Sequence, residues 1–177
     1  MSNNKSATTI NIEIKDGQKI VVIKDNEIIA KISEATTQKE KRRIVEKYLF
    51  DHFVGKTIAK EYLDKCLEAK TLLIKESGGD IKELTFQRGE DVLKSLTILD
   101  KLIEASEYET EAVSTKERAK NDYYWYFKVT VKVDSKIFIC KLNIGRNRYT
   151  GNIALYSITN YKKNKARRFL VPSALYL

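Results

Sequence analysis

The sequence has 177 residues, 42% of them hydrophobic and 32% charged, which is enough for one domain with a sizeable core. No apolar run approaches the roughly 20 residues of a membrane span, and residues 1–9 lack the basic and apolar regions of a signal peptide, so we expect a soluble cytoplasmic protein that binds no membrane. Two widely separated cysteines and one histidine leave little for a zinc site or a serine–histidine–aspartate triad. We therefore expect neither a metal nor a cofactor.

Short alternating segments open the chain. Isoleucines alternate with polar residues, and Asp16-Gly17 is a typical hairpin turn. We predict a three-stranded β-meander over 9–32, with "EIIAKI" as its third strand. Residues 1–35 then form an N-terminal extension, and residues 36–177 form a nuclease-like domain of helices and antiparallel sheet, for reasons given below.

The next segment is predicted to be mainly helical. Thr37 is suited to cap a helix whose apolar residues recur at helical spacing until Gly55. Thr57 is a candidate cap for a second helix that continues through Leu67. The segment "TLLIK" is predicted to be a short strand.

Two further helices are predicted before a polar connector. Asp80 can cap a short helix over "IKELTF", and "GED" opens a longer helix whose leucines and Ile103 share one face. Residues 107–122 are polar and are predicted to be a connector without regular structure.

The remaining chain is predicted to form an antiparallel meander. In "YYWYFKVTVKV" (123–133), apolar and polar residues alternate with the period of two that is typical of an amphipathic strand. The segments "IFICKLNI" and "IALYSITNY" follow as strands, separated by the loop "GRNRYTGN". Helices that precede such a sheet predict an α+β fold, in which the helices of 81–106 cover one face of 123–161.

The net charge of +9 belongs to the C-terminal quarter. Nine Lys and Arg residues and no acid follow Asp134, which leaves 24 basic and 24 acidic residues in 1–134. Such a one-sided field attracts polyanions, with nucleic acid as the first candidate and an acidic protein or anionic membrane as the second. The alternative is a basic surface that only keeps the protein soluble.

Aromatic and basic residues alternate on the polar face of the first long strand. Tyr124 and Tyr126 could stack on bases, and Lys128 and Lys132 could meet phosphates. The alternative is that these tyrosines pack under helices while the lysines reach solvent. For Tyr156, on the third strand, we favour a position facing the core.

Residues 81–161 resemble the nuclease-like domains of phage polyvalent proteins, in the barnase/EndoU/colicin/RelE-like ribonuclease superfamily. The resemblance is carried by "LTILDKLIEASEY", the aromatic opening "YYWYF", the hairpin "VKVDSKIFICKLNI" and "LYSI". It implies metal-independent cleavage of RNA, in a bacterial or phage-infected cell, with an immunity or host protein as a further partner. Several members carry a histidine in the helix region that corresponds to "IKELTFQRGED", and this sequence has none there.

Metal-free cleavage of RNA needs a proton acceptor, a proton donor and cations at the phosphate. We predict that Arg146 and Arg148 bind the scissile phosphate beside Lys128 and Tyr126. Glu83 is the candidate base, and its alternative role is that of a solvated helix glutamate. The other predicted RNA-binding residues are Tyr124, Lys132, Tyr149, Lys162, Lys163, Lys165, Arg167 and Arg168.

Two hypotheses of different class follow. The first is a metal-independent, endoribonuclease-like domain associated with a phage or a toxin system. The alternative is a non-catalytic phage accessory or inhibitor protein, which binds nucleic acid or an acidic host protein through its basic C-terminal surface. The missing histidine favours the second hypothesis, and the aromatic and basic strand is compatible with both.

Overall fold

The computed structural model describes residues 11–59, 71–73 and 78–161. The strands are β1 (Asn11–Lys15), β2 (Gln18–Ile23), β3 (Thr57–Ala59), β4 (Thr71–Leu73), β5 (Glu107–Val113), β6 (Asn121–Val133), β7 (Lys136–Asn147) and β8 (Ile153–Tyr161). The helices are α1 (Glu27–Glu34), α2 (Gln38–Phe53), α3 (Gly78–Thr85), α4 (Glu90–Leu96) and α5 (Leu99–Ala105). The predicted tail cations from Lys162 to Arg168 lie outside the described residues.

The strands belong to a single sheet with the order β1-β2-β6-β7-β8-β4-β3, and β5 pairs with β6 off this path. Strands β6, β7 and β8 form the predicted antiparallel meander. Two contacts are parallel, namely β2 with β6 and β4 with β8. The α+β class is therefore confirmed, with a mainly antiparallel sheet.

Helices cover one face of this sheet, as the alternation in β6 and β7 predicts. The covered face of β6 and β7 carries Trp125, Phe127, Val129, Val131, Val133, Cys140, Leu142 and Ile144, all buried. They share one core with leucines of α4 and α5. We call the opposite side of the sheet the outer face; it presents Tyr124, Tyr126, Lys128 and Lys132 of β6.

The predicted third N-terminal strand is wrong, because residues 27–34 form α1. The side chain of Asn26 accepts a hydrogen bond from the Ile29 backbone N–H, at 3.0 Å, and so caps the helix. Ile29 and Ile32, one turn apart, are both buried against the core. Strand β2 pairs in parallel with β6, so the β1–β2 hairpin belongs to the main sheet. The division of the chain at residue 35 stays a prediction.

Other boundaries differ from the sequence-based expectation. Residues 57–59 form β3 rather than the start of a helix, and the rest of that predicted helix lies outside the described residues. The predicted connector contains β5, whose backbone pairs antiparallel with residues 123–128 of β6. The helix expected to run to Ile103 is interrupted, because α4 ends at Leu96. The hydroxyl of the following residue, Thr97, donates to the Lys94 carbonyl at 2.7 Å.

The predicted start of α2 is confirmed. Thr37 and Glu40 form a reciprocal capping box, and Gly55 follows the helix with a φ of +74°. The short helix α3 begins at Gly78, two residues before the predicted cap. Among the helices that the structure describes, none is long and apolar enough to span a membrane.

Candidate nucleic-acid interface

Three tyrosines form a cluster on the outer face, which we call the tyrosine cluster: Tyr124, Tyr126 and Tyr156. Tyr124 and Tyr126 are two residues apart on β6, so their side chains leave the same face of the strand. Their ring centroids are 6.5 Å apart, and the centroids of Tyr124 and Tyr156 are 5.7 Å apart. The cluster therefore crosses from β6 to β8.

Tyr156 reaches the outer face because β8 contains an irregularity. Ser157 pairs with Asn143 and Leu155 pairs with Ile144, so Tyr156 is the extra residue between the two pairs. Leu155 is fully buried, whereas Tyr156 is 42% exposed. The expectation that Tyr156 faces the core is therefore wrong, since strict alternation does not hold across a bulge.

The position of Tyr124 is set by its surroundings. Its cross-strand partner is Gly145, and a Cβ atom at that glycine would lie 2.4 Å from the side-chain nitrogen of Asn121. The absence of a side chain there leaves room for Asn121, which also hydrogen bonds with Tyr124. Burial, followed by the neighbouring Tyr156, raises the pKa of Tyr124, so its hydroxyl is protonated at neutral pH.

Lysines lie beside the tyrosine cluster and farther along the outer face. The Lys141 ammonium lies 4.6 Å from the centroid of the Tyr126 ring, and it is 3.1 Å from a carboxylate oxygen of Glu109. Lys132 approaches Glu13 at 3.8 Å. Lys128 is exposed, and no carboxylate in the described part of the chain forms an ion pair with it. Glu107 is the cross-strand neighbour of Lys128, so the outer face combines aromatic rings with lysines that have glutamates beside them.

Arg146 lies on the other side of the sheet from the tyrosine cluster. Its cross-strand partner is Tyr123, whose ring packs on that of Trp125 on the helix-covered face. The Arg146 guanidinium donates to both carboxylate oxygens of Asp122, at 2.9 and 3.0 Å. This bond lowers the pKa of Asp122 and raises that of Arg146. Arg146 is therefore already engaged by a carboxylate.

Arg148 and Tyr149 belong to the turn between β7 and β8. The Arg148 guanidinium donates to the Lys116 carbonyl at 3.2 Å, in the segment between β5 and β6. The Asn147 side chain accepts from the backbone N–H groups of Tyr149 and Thr150, which closes the turn. The Tyr149 side chain is 75% exposed. The structure thus does not bring Arg146 and Arg148 together with Tyr126 and Lys128.

A cleft of about 540 Å³ lies where α2, α3 and β8 meet, and we call it the α2–α3 cleft. Three cations line it, one from α2 and two from α3 and the residues after it: Arg42, Lys82 and Arg88. Its other lining residues are Glu83, Phe86, Tyr156 and Ser157. Because Tyr156 also belongs to the tyrosine cluster, the cleft and the outer face adjoin.

Sequence patterns predict only part of this cleft. Glu83 was predicted from its place near the missing histidine, and the structure puts it among three cations. Arg42, Lys82 and Phe86 were missed. Arg42 stands within the run "KEKRR", where helical spacing shows which face is polar but not what that face approaches. Only the packing of α2 on α3 assigns it to a cleft.

Among the described residues, no group of three or more His, Cys, Asp or Glu side chains is placed to hold a metal ion. No protein-family model, no curated protein and no solved structure matches the chain.

Proposed function

We propose that this protein binds single-stranded RNA across the outer face of its sheet. The observation that carries the proposal is the tyrosine cluster, in which three adjoining rings lie on an aromatic surface with lysines beside it. Unpaired bases stack on such rings whatever their sequence, whereas the bases of a duplex have their faces covered.

The charge distribution supports a polyanionic ligand. Residues after Asp134 carry nine cations and no acid, and Lys141 of this segment lies over the Tyr126 ring. The resemblance of residues 81–161 to a ribonuclease superfamily favours RNA over DNA. An acidic host or immunity protein is the alternative ligand for the same basic surface.

The binding test uses one ring of the cluster and a ten-nucleotide oligouridine. Tyr126→Ala should weaken binding roughly 5- to 100-fold, because stacking contributes about 1–3 kcal/mol per base. Tyr126→Phe keeps the ring and should bind within a few fold of wild type. Phe50→Ala is the matched control, since this aromatic residue is 57% exposed on α2, outside the proposed interface.

Fluorescence anisotropy of labelled oligouridine gives the affinities, and thermal melts check that each variant is folded. Wild-type protein that does not bind oligouridine, or a Tyr126→Phe variant as weak as Tyr126→Ala, contradicts stacking on this face. Binding of an acidic protein with no affinity for RNA would support the alternative ligand.

A second candidate function is metal-independent cleavage of the bound RNA. The specific observation is that Glu83 lies in one cleft with Arg42, Lys82 and Arg88. The Glu83 carboxylate would take the proton of a 2′-hydroxyl, whose oxygen attacks phosphorus and forms a 2′,3′-cyclic phosphate. The bond to the 5′-oxygen then breaks, and the Lys82 ammonium is the candidate donor of the proton that this oxygen takes up. The arginines would stabilise the charge on the phosphate.

Incubation of purified protein with RNA in excess chelator tests this second function. We expect cleavage that persists in chelator and decreases by orders of magnitude in Glu83→Gln. If Arg148→Ala abolishes cleavage and Glu83→Gln does not, the reaction takes place at the β7–β8 turn, as the sequence suggested. If wild-type protein cuts no RNA, the non-catalytic accessory or inhibitor hypothesis replaces the ribonuclease.

A further inference from the structure

The α2–α3 cleft has the size and chemistry of a site for one nucleotide. Its volume of about 540 Å³ falls in the range of roughly 300–1,000 Å³ that is usual for small-molecule sites. It combines cations with aromatic rings, whereas a site for an inorganic anion would need only the cations. A double helix is far too wide to enter such a space.

Arg42 brings a guanidinium and an aromatic contact to the same wall of the cleft. Its guanidinium lies over the Phe86 ring, 5.4 Å from the centroid, and one terminal nitrogen approaches Glu46 at 3.3 Å. Its Nε is buried and has no hydrogen-bond partner among the described residues. Because this Nε has almost no accessible surface, a phosphate oxygen in the cleft would meet the terminal nitrogens of the guanidinium instead.

The arrangement around Arg42 holds its guanidinium in place before any ligand binds. Glu46, which pairs with Arg42, also accepts a hydrogen bond from the Thr85 hydroxyl at 2.7 Å. Thr85 is fully buried at the end of α3, so Glu46 connects α2 to α3. The Arg42 guanidinium therefore faces the cleft from a rigid position, and less side-chain entropy is lost on binding.

The other two cations have spare hydrogen-bonding capacity. Arg88 donates its Nε to the Leu84 carbonyl at 3.2 Å, and its terminal nitrogens have no acceptor within the part of the chain that the structure describes. Lys82 is exposed and has no ion pair within the same part. Burial lowers the pKa of Arg88, but an arginine remains charged at neutral pH. Glu46 neutralises Arg42, so Lys82 and Arg88 against Glu83 leave the cleft with a net positive charge.

Phe86 offers a surface for a base. Its side chain is 55% exposed, and one of its faces already meets Arg42. Tyr156, on the opposite side of the cleft, packs edge-to-face with Tyr124 at 5.7 Å. A strand on the outer face can therefore place its next nucleotide in the cleft.

We infer that the α2–α3 cleft binds one phosphorylated nucleoside, with the phosphate on Arg42, Lys82 and Arg88 and the base against Phe86. The inference deepens the proposed function and rests on it for the choice of a nucleotide as ligand. The phosphorylated nucleoside has two sources, a free mononucleotide or the phosphorylated end of an RNA strand.

Calorimetry on the full chain tests the cleft with uridine 5′-monophosphate and with uridine. We expect the monophosphate to bind roughly tenfold or more tightly than uridine, because charge-assisted hydrogen bonds are lost without the phosphate. Phe86→Ala should weaken monophosphate binding roughly tenfold through lost stacking. Arg42→Lys should also weaken it, since lysine keeps the charge but loses the fork. Phe50→Ala, outside the cleft, should leave it unchanged.

Oligouridine with and without a 5′-phosphate identifies the source. A gain in affinity from the 5′-phosphate that is lost in Arg42→Lys indicates the end of a strand, and no gain indicates a free nucleotide. Equal binding of uridine and its monophosphate, or monophosphate binding that Phe86→Ala leaves unchanged in a folded variant, overturns the inference. The two proposals can fail separately. If monophosphate binding depends on Phe86 but Tyr126→Ala does not weaken oligouridine binding, the cleft inference holds and the proposed function of the outer face is overturned.

Discussion

At the scale of single residues, burial decides which side chains can react. Cys140 is fully buried on β7, and burial raises the pKa of its thiol to about 12, against a small opposing effect of the Ser95 hydroxyl. Because the thiolate is the reactive form, we predict that Cys140 resists thiol reagents in the folded protein. In a Cys66→Ser variant, a colorimetric disulfide reagent at pH 8 should label no thiol in native buffer and one thiol in denaturant. Rapid labelling of the native variant would show that β7 opens readily.

At the scale of elements, a capping box fixes the start of α2, the helix that carries Arg42. The Thr37 hydroxyl accepts a hydrogen bond from the Glu40 backbone N–H. In turn, the Glu40 carboxylate accepts a hydrogen bond from the Thr37 backbone N–H. Thr37→Ala should lower the free energy of unfolding by about 1 kcal/mol, whereas Thr37→Ser keeps the hydroxyl and should cost much less. Urea denaturation measures both. Equal stability of Thr37→Ala and wild type would mean that packing alone holds this end of the helix.

At the scale of the whole molecule, a chain of ion pairs connects the helices to the sheet. Glu90 of α4 pairs with Lys41 of α2 and with Lys94, and Lys94 also reaches Asp134 at the end of β6. The hydrogen bond from Lys41, followed by that from Lys94, lowers the pKa of Glu90 against the effect of burial. Burial alone would lower the pKa of Lys94, but its bonds to Glu90 and Asp134 outweigh burial and raise it.

This chain of ion pairs predicts how stability depends on pH. A carboxyl with a lowered pKa in the folded protein contributes stability that is fully present above its ordinary value of 4.5 and is lost as pH falls through the folded value. The free energy of unfolding, from urea denaturation at pH 7, 4 and 3, should therefore fall less steeply in Glu90→Gln than in wild type. Glu34→Gln, at an exposed position of α1, should keep the wild-type slope. Identical slopes in Glu90→Gln and wild type would contradict the prediction.

Local pattern determined much of the fold. Alternation over 123–133 predicted which face of β6 is buried, and the capping residues predicted where α2 begins, since both signals act between near neighbours in the chain. Strand β5 was missed because "EYETEAV" is mostly polar and becomes a strand through backbone pairing with β6. The sequence of helix α1 also predicts a strand, because its isoleucines fit both periods over so short a segment.

The candidate site depended on tertiary structure to a greater degree. The order of the residues by itself determined that the C-terminal quarter is basic and that aromatic and basic residues share one face of β6. Only the structure decided that Tyr156 joins that face, that Arg146 turns to Asp122 on the other one, and that Arg42 meets Phe86 across the α2–α3 cleft. A bulge reverses the alternation of buried and exposed residues on which a sequence-based assignment of strand faces relies. A cleft between helices that are far apart in sequence has no local signal, because its lining residues come together only when the chain packs.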